Sequence, residues 1–254
     1  MYPFLFDASL GIPSYLFIIS LTYCIGLLWV VKRAKKYNHS VPITLDFSLA
    51  IMIGGFIGAR LFHIVFEQWD YYAADPWRVF YIWHGGFVFY GGFIGALLTS
   101  FVVFKIRKIS NWGPWLDLFA PLFPFGYALG RVGCLLAGCC FGSECDLPWA
   151  ISFPDGVDAP AHVPIHPTQI YATLLSLIDM TIVLTAQRKR WLPVPGQSFY
   201  LWLVLHGIGR LLVEQFRADW RGDMIVGLSV SSWISLAVLV SGIVLLARSS
   251  KNMT

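Results

Sequence analysis

An all-α polytopic membrane protein is the fold class that this sequence predicts, and three observations carry it. The 254 residues are 57% hydrophobic and only 13% charged, about half the charge of a soluble domain. Seven apolar stretches are each long enough to cross roughly 30 Å of hydrocarbon. The basic residues gather after alternate stretches, and mean hydropathy is +0.67.

The expected spans cover about 12–31, 44–66, 86–104, 115–139, 168–186, 198–216 and 225–247. The first lacks a basic leader and precedes a charge cluster, so it is expected to stay as a topology anchor. Lys32, Arg33, Lys35 and Lys36 follow span one, and Lys105, Arg107 and Lys108 follow span three. Arg188, Lys189 and Arg190 follow span five, and Arg248 and Lys251 follow span seven. Twelve of the 18 basic residues therefore share one side, which the positive-inside rule makes cytoplasmic. The N-terminus then faces out and the C-terminus is cytoplasmic.

Two longer outward segments remain. Residues 67–85 are dense in Trp and Tyr, which settle at headgroup level. Residues 142–167 are polar and proline-rich, as in a small outward cap. No domain boundary or internal repeat interrupts the chain, so 1–254 reads as a single transmembrane domain. No basic run is interleaved with exposed aromatics, which argues against a nucleic-acid partner.

Arg60, Arg78, Arg131, Arg210, Arg217 and Arg221 are left over once topology is explained. Arg60, Arg131 and Arg210 lie inside spans two, four and six. An arginine in hydrocarbon costs about 2.5–3.5 kcal/mol on insertion scales unless it is partnered, so it marks a functional site by default. Asp46, Asp117, Asp179 and Glu214 are the acids in or beside spans. Arg210 and Glu214 are one helical turn apart and can pair. Asp46 and Asp117, near cytoplasmic ends, fit helix caps. Arg131 sits among Gly130, Gly133, Gly138 and Gly142, which leave room for a ligand or a close helix. An anionic group is its natural partner.

Gly54, Gly55 and Gly58 read as small-residue helix packing. The pairs Gly85–Gly86 and Gly91–Gly92 instead suggest irregular backbone lining a cavity. Among the histidines, His84 and His166 converge with the arginines on the outward side, while His39 falls in a cytoplasmic loop. Cys134, Cys139, Cys140 and Cys145 fall within twelve residues, and Cys145 can pair with Cys139 or Cys140 on an oxidising face. A zinc site from these thiols with His162 or His166 lacks a C-x-x-C pair. No metal or other cofactor is expected.

Several segments, in order, resemble the prolipoprotein diacylglyceryl transferase family. They are G-A-R-L-F-H-I-V-F at 58–66, Y-Y-A-A-D-P-W-R-V-F-Y-I-W-H-G-G-F-V-F-Y-G-G-F-I-G at 71–95, and D-L-F-A-P-L-F-P-F-G-Y-A-L-G-R-V-G at 117–133. D-L-P-W-A-I-S-F-P at 146–154, H-P-T-Q-I-Y at 166–171 and R-L-L-V-E-Q-F-R at 210–217 complete the set. The departures are local. Where the family signature has two Asn and a Glu, this chain has Cys134, Ala137 and Cys139. The family's H-G-G histidine is Tyr90, and the Glu after H-P-T-Q-I-Y is Ala172.

The resemblance implies a multi-pass protein of the bacterial inner membrane with its active site toward the outer leaflet. It implies transfer of the diacylglyceryl group of phosphatidylglycerol to the lipobox cysteine thiol of a prolipoprotein, giving a thioether and glycerol phosphate. Arg131 and Arg210 would clamp the phosphodiester, with Arg60 and Arg217 as secondary contacts. Glu214 would orient Arg210 or accept a proton, and Tyr15 and Tyr90 would bond the headgroup. His84, His166 or Glu214 would activate the thiol, or the nearby arginines would lower its pKa directly, and Gly133, Gly142 and Gln169 would line the substrate. The partners implied are phosphatidylglycerol, the prolipoprotein signal peptide and the bilayer. The replaced positions leave open a different acceptor, or a non-catalytic phospholipid- or lipoprotein-binding paralogue; intramembrane charge alone leaves open a transporter.

Overall fold

A computed structural model describes residues 4–5, 12–81, 86–219 and 226–251. Apart from a two-residue antiparallel pairing of β1 (Phe4–Leu5) with β2 (Ile12–Pro13) and isolated bridges, the regular structure among them is helical. The chain divides into two compact units, one of residues 1–28 with 113–254 and one of residues 29–112.

Each expected span contains a helix. α1 is Ser14–Lys36, α2 Val41–Phe62, α4 Phe89–Ile106, α7 Thr168–Lys189, α8 Gln197–Glu214 and α9 Val230–Lys251. Five stretches are long and apolar enough to cross a membrane: α1, α2 continued to Phe66, residues 113–137, α7 and α9. The apolar part of α4, Gly91–Ile106, is shorter. α8 carries Arg210 and Glu214 within its 18 residues.

Span four is two helices rather than one, α5 (Gly113–Phe119) and α6 (Leu122–Ala137). Pro121 stands at the break, and a proline has no N–H to continue the ladder. The aromatic segment after α2 folds as a wide π turn (His63–Glu67), a short helix α3 (Trp69–Ala74) and a 3-10 turn (Pro76–Phe80).

In the smaller unit α2 packs on α4 through glycine. A methyl group on Gly58 would strike the Gly91 carbonyl, and one on Gly95 would strike that of Gly54. Thr99 ties the pair by donating to the Ala50 carbonyl at 2.7 Å. Gly91 and Gly92 therefore serve helix packing, not the cavity lining that the sequence suggested. Asp46 is no helix cap either: it accepts from Arg107 Nε at 2.6 Å.

In the larger unit Asp117 does cap a helix, though not its own. It accepts from Gly196 N at 2.7 Å and Ser198 N at 2.9 Å, satisfying free donors at the start of α8. Residues 142–167 form a bridged loop whose core is Phe153, Ala159 and Ile165. Gly142 pairs with Arg217 as an isolated bridge, and Ser143 N donates to Phe216 O at 2.8 Å. The loop is thereby stitched to the segment after α8.

Candidate active site

Tyr127, Arg131 and Cys134 recur at spacings of four and three along α6, which sets them on one helix face. Arg131 Nη2 donates to the Tyr127 hydroxyl at 2.8 Å, and its guanidinium lies 4.7 Å from the Tyr127 ring centre. Among the described residues no carboxylate stands within ion-pair distance of Arg131. A phenol and a ring face solvate the cation without neutralising it.

His206, Arg210 and Glu214 recur at four-residue spacing on α8. Arg210 Nη1 and Glu214 Oε2 are 2.5 Å apart with side chains 11% and 8% exposed, so the pair expected from the sequence is made. Glu214 also accepts from Ser229 Oγ at 2.5 Å. Arg217 is paired as well: its Nε and Nη2 meet the two oxygens of Asp219 at 2.8 and 2.6 Å. Burial works against the Arg217 charge, and the fork to Asp219 more than offsets it, so its pKa lies above the usual arginine value.

The turn after α6 gathers three thiols. Gly138 adopts φ 74° at the helix C-cap and Cys140 adopts φ 62°, folding the chain back on itself. The sulfurs of Cys134, Cys139 and Cys140 all lie within 4.8 Å of one another. All five cysteines are free thiols. Cys145 is outside the trio and bridges neither Cys139 nor Cys140, so the disulfide that the spacing allowed is not made. His162 and His166 are outside it too: His162 faces Asp155 at 3.4 Å, and His166 Nδ1 bonds the Tyr171 hydroxyl at 3.2 Å. The Cys140 thiol is held below its ordinary range by hydrogen bonds from Cys134 and Cys139; burial opposes this, and Arg131 and Arg217 reinforce it.

Gln169, 1% exposed, donates Nε2 to the Cys139 carbonyl at 2.7 Å. It thus holds the thiol turn rather than lining open space. Gly142 would meet His166 and the Phe216 carbonyl with any added carbon, so it serves a backbone crossing. Gly133 lies under the Tyr15 ring, where an added carbon would sit 3.0 Å from Tyr15 Cδ2. Tyr15 is near enough to Arg131 and the three thiols to feel their charge.

A cavity of about 10 Å³, room for one water, is lined by Tyr127, Asp179, His206 and Arg210 among others. Leu175 and Val213 line it too, and both also line an apolar groove of about 280 Å³ between α7 and α8. The rest of that groove is Tyr171, Leu174, Ile178, Leu212 and Phe216. A polar, cationic cavity thus shares a wall with a surface fit for an alkyl chain. His206, between the rings of Tyr127 and Trp202, and buried Asp179 received no role from the sequence. The signal for His206 was its place one turn before Arg210.

The smaller unit treats its buried arginine differently. Arg60 donates to the carbonyls of Arg78 at 3.0 Å, Val79 at 3.2 Å, Tyr81 at 3.3 Å and Gly86 at 3.2 Å. Its guanidinium also lies over the rings of Tyr72 and Phe87. A cleft of about 200 Å³ beside it is lined by His63, Gln68, Tyr71 and Arg78, among others. His84 and Arg221 lie outside the described residues, and only the backbone of Tyr90, in the first turn of α4, is described.

The family pattern described as prolipoprotein diacylglyceryl transferase matches residues 3–248. The chain is 32% identical over 246 residues to a phosphatidylglycerol–prolipoprotein diacylglyceryl transferase of Clostridium tetani, covering 96% of each chain. It is 35% identical over 227 residues to the enzyme of that name from Pasteurella multocida, covering 87% of this chain and 81% of the relative. With that of Polynucleobacter asymbioticus it shares 36% over 209 residues, 82% and 78% of the two chains.

Proposed function

The chain belongs to the prolipoprotein diacylglyceryl transferase family, and we propose that it moves the diacylglyceryl group of phosphatidylglycerol to the cysteine thiol of a prolipoprotein lipobox. The observation that carries this reading is Arg131. It has no carboxylate partner among the described residues, and Tyr127 joins it to the Arg210 cavity, which shares Leu175 and Val213 with the α7–α8 groove. A phosphodiester matches the cation, and acyl chains match the groove.

The reaction forms a carbon–sulfur bond and breaks the carbon–oxygen bond to phosphate. Charge grows on the leaving phosphate, and donors fixed in place before reaction stabilise it most. Arg131 and Arg210 take that role, with Glu214 orienting Arg210. In this proposal Tyr15 and Tyr90 would bond the headgroup, and His84, His166 or Glu214 would activate the thiol. Arg60 and Arg217 contribute through the segments they hold, as Gly133, Gly142 and Gln169 contribute through the shape of the turn. Seven spans, an outward N-terminus and a site toward the outer leaflet of the bacterial inner membrane complete the proposal. The twelve basic residues after alternate spans support that orientation.

A non-catalytic phospholipid-binding role is the second reading, motivated by Tyr90, Cys134, Ala137 and Cys139 at positions where the family has other groups. One experiment separates the two. Purified protein is incubated with phosphatidylglycerol and a lipobox peptide, and glycerol phosphate release and peptide mass are followed, with Arg131→Ala beside it. Release with the mass gain of a diacylglyceryl group is expected. Lipid binding without release would overturn the transferase reading for that acceptor.

A further inference from the structure

Cys134, Cys139 and Cys140 bring three sulfurs within 4.8 Å of one another, with no histidine or carboxylate in the group. Zinc–sulfur bonds of about 2.3 Å in a tetrahedron place sulfurs about 3.8 Å apart, within reach of this cluster by small side-chain rotations. The turn that gathers them is fixed from outside. Thr168 Oγ1 donates to the Cys140 carbonyl at 2.8 Å, and Gln169 Nε2 donates to the Cys139 carbonyl at 2.7 Å. Both anchors are 1% exposed. Cys139 N also closes the helix end on the Cys134 carbonyl at 3.2 Å.

We propose that this turn binds a thiophilic d10 cation, zinc in the first place, whose open fourth position takes the acceptor cysteine as a thiolate. The sequence argued against a metal for want of a C-x-x-C pair, but the left-handed residues at 138 and 140 bring a C-x4-C-C spacing to the same end. Three protein ligands are the count of a catalytic zinc site, whereas structural sites close with four. Three thiolates and one divalent cation carry net −1, and Arg131 stands one helical turn before Cys134 on the same face of α6. Soft thiolates select zinc or copper(I) over magnesium or calcium.

The chemistry answers a need of the proposed reaction, on which this role rests. A metal-bound thiol is deprotonated outright, so no histidine base is required where the chain has Tyr90. The bound sulfur attacks the terminal glyceryl carbon, the carbon–sulfur bond forms, and the carbon–oxygen bond breaks with its electron pair going to phosphate. The proton lost on coordination is matched by the one the phosphate monoester takes up. Zinc stays divalent throughout.

Cobalt(II) reports the site without turnover. Reduced protein in detergent should bind one cobalt per chain with thiolate-to-metal absorption, and the Cys134→Ser/Cys139→Ser/Cys140→Ser variant should bind none. A lipobox cysteine peptide should raise that absorption by about one third, as three thiolates become four, and a serine peptide should not. Should the triple variant fail to fold, Cys140→Ser alone must weaken cobalt at least tenfold. Chelation should lower transfer at least tenfold, and zinc should restore it. Cobalt binding no better than in the variant, or transfer indifferent to chelation, overturns the proposal. A cobalt site that takes up the peptide thiol in a protein that never transfers would overturn the transferase reading and leave the site standing.

Discussion

Arg60 in the smaller unit gives its donors to at least four main-chain carbonyls, whereas Arg131 in the larger meets the hydroxyl and ring face of Tyr127 and lies near two thiols. Both are arginines inside apolar helices, and both look alike in the sequence. The carbonyls at Arg60 come from the segment that must be pinned to the end of α2, so the cation is consumed by structure. Arg131 pins nothing comparable and keeps its charge for something else. Burial alone does not separate a structural cation from a functional one; the chemistry of its partners does.

Arg131→Ala breaks the comparison hardest. It should lower transfer at least a thousandfold, about 4 kcal/mol in barrier terms, while the thermal transition stays put or rises. A half-buried cation without a carboxylate partner contributes little to folding. A large loss of stability with activity kept would place Arg131 with Arg60.

Arg210 stands between the two cases, with a carboxylate that Arg131 lacks. Glu214→Gln leaves a buried guanidinium uncompensated and should cost about 3 kcal/mol of stability, read from denaturant or thermal unfolding. The double variant Arg210→Met/Glu214→Leu should recover most of that stability and none of the activity. Recovery of both would remove Arg210 from the site.

Arg60→Gln should do the reverse of Arg131→Ala. Carbonyls left without donors cost about 2 kcal/mol in total, and the KM for phosphatidylglycerol should stay within twofold. A tenfold rise in KM with an unchanged thermal transition would return Arg60 to the binding set.

What the sequence could convey follows the same division. Hydropathy located a helix in every expected span, because burial in lipid is written in side chains. The pairing of Arg210 with Glu214 was legible from one helical turn of spacing. The carbonyl partners of Arg60 were not, since any residue type supplies a carbonyl and these lie 18 to 26 residues downstream. The Pro121 break was legible in the proline itself but lost in a continuous apolar run. The thiol cluster hid behind a metal template defined by C-x-x-C, although Gly138 signalled the reversal that builds it. Asp219 was readable too, two residues from Arg217, but it belongs to no helix whose periodicity would have flagged it.

The smallest effect tests the apolar side of the comparison. The Arg60 cleft is rimmed by polar and aromatic groups, whereas the Arg210 cavity shares a wall with a groove of Leu174, Leu175, Ile178 and Leu212. Leu174 is 54% exposed, so a larger ring there fills the groove without disturbing a core. Leu174→Trp should raise the KM for long-chain phosphatidylglycerol about fivefold, roughly 1 kcal/mol, and leave a short-chain substrate nearly unchanged. Each buried methylene contributes about 0.8 kcal/mol, so displacing one or two suffices. Tyr71→Trp at the Arg60 cleft is the matched control and should not distinguish the two lipids. If it does, or if Leu174→Trp treats both chain lengths alike, the acyl chains do not lie between α7 and α8.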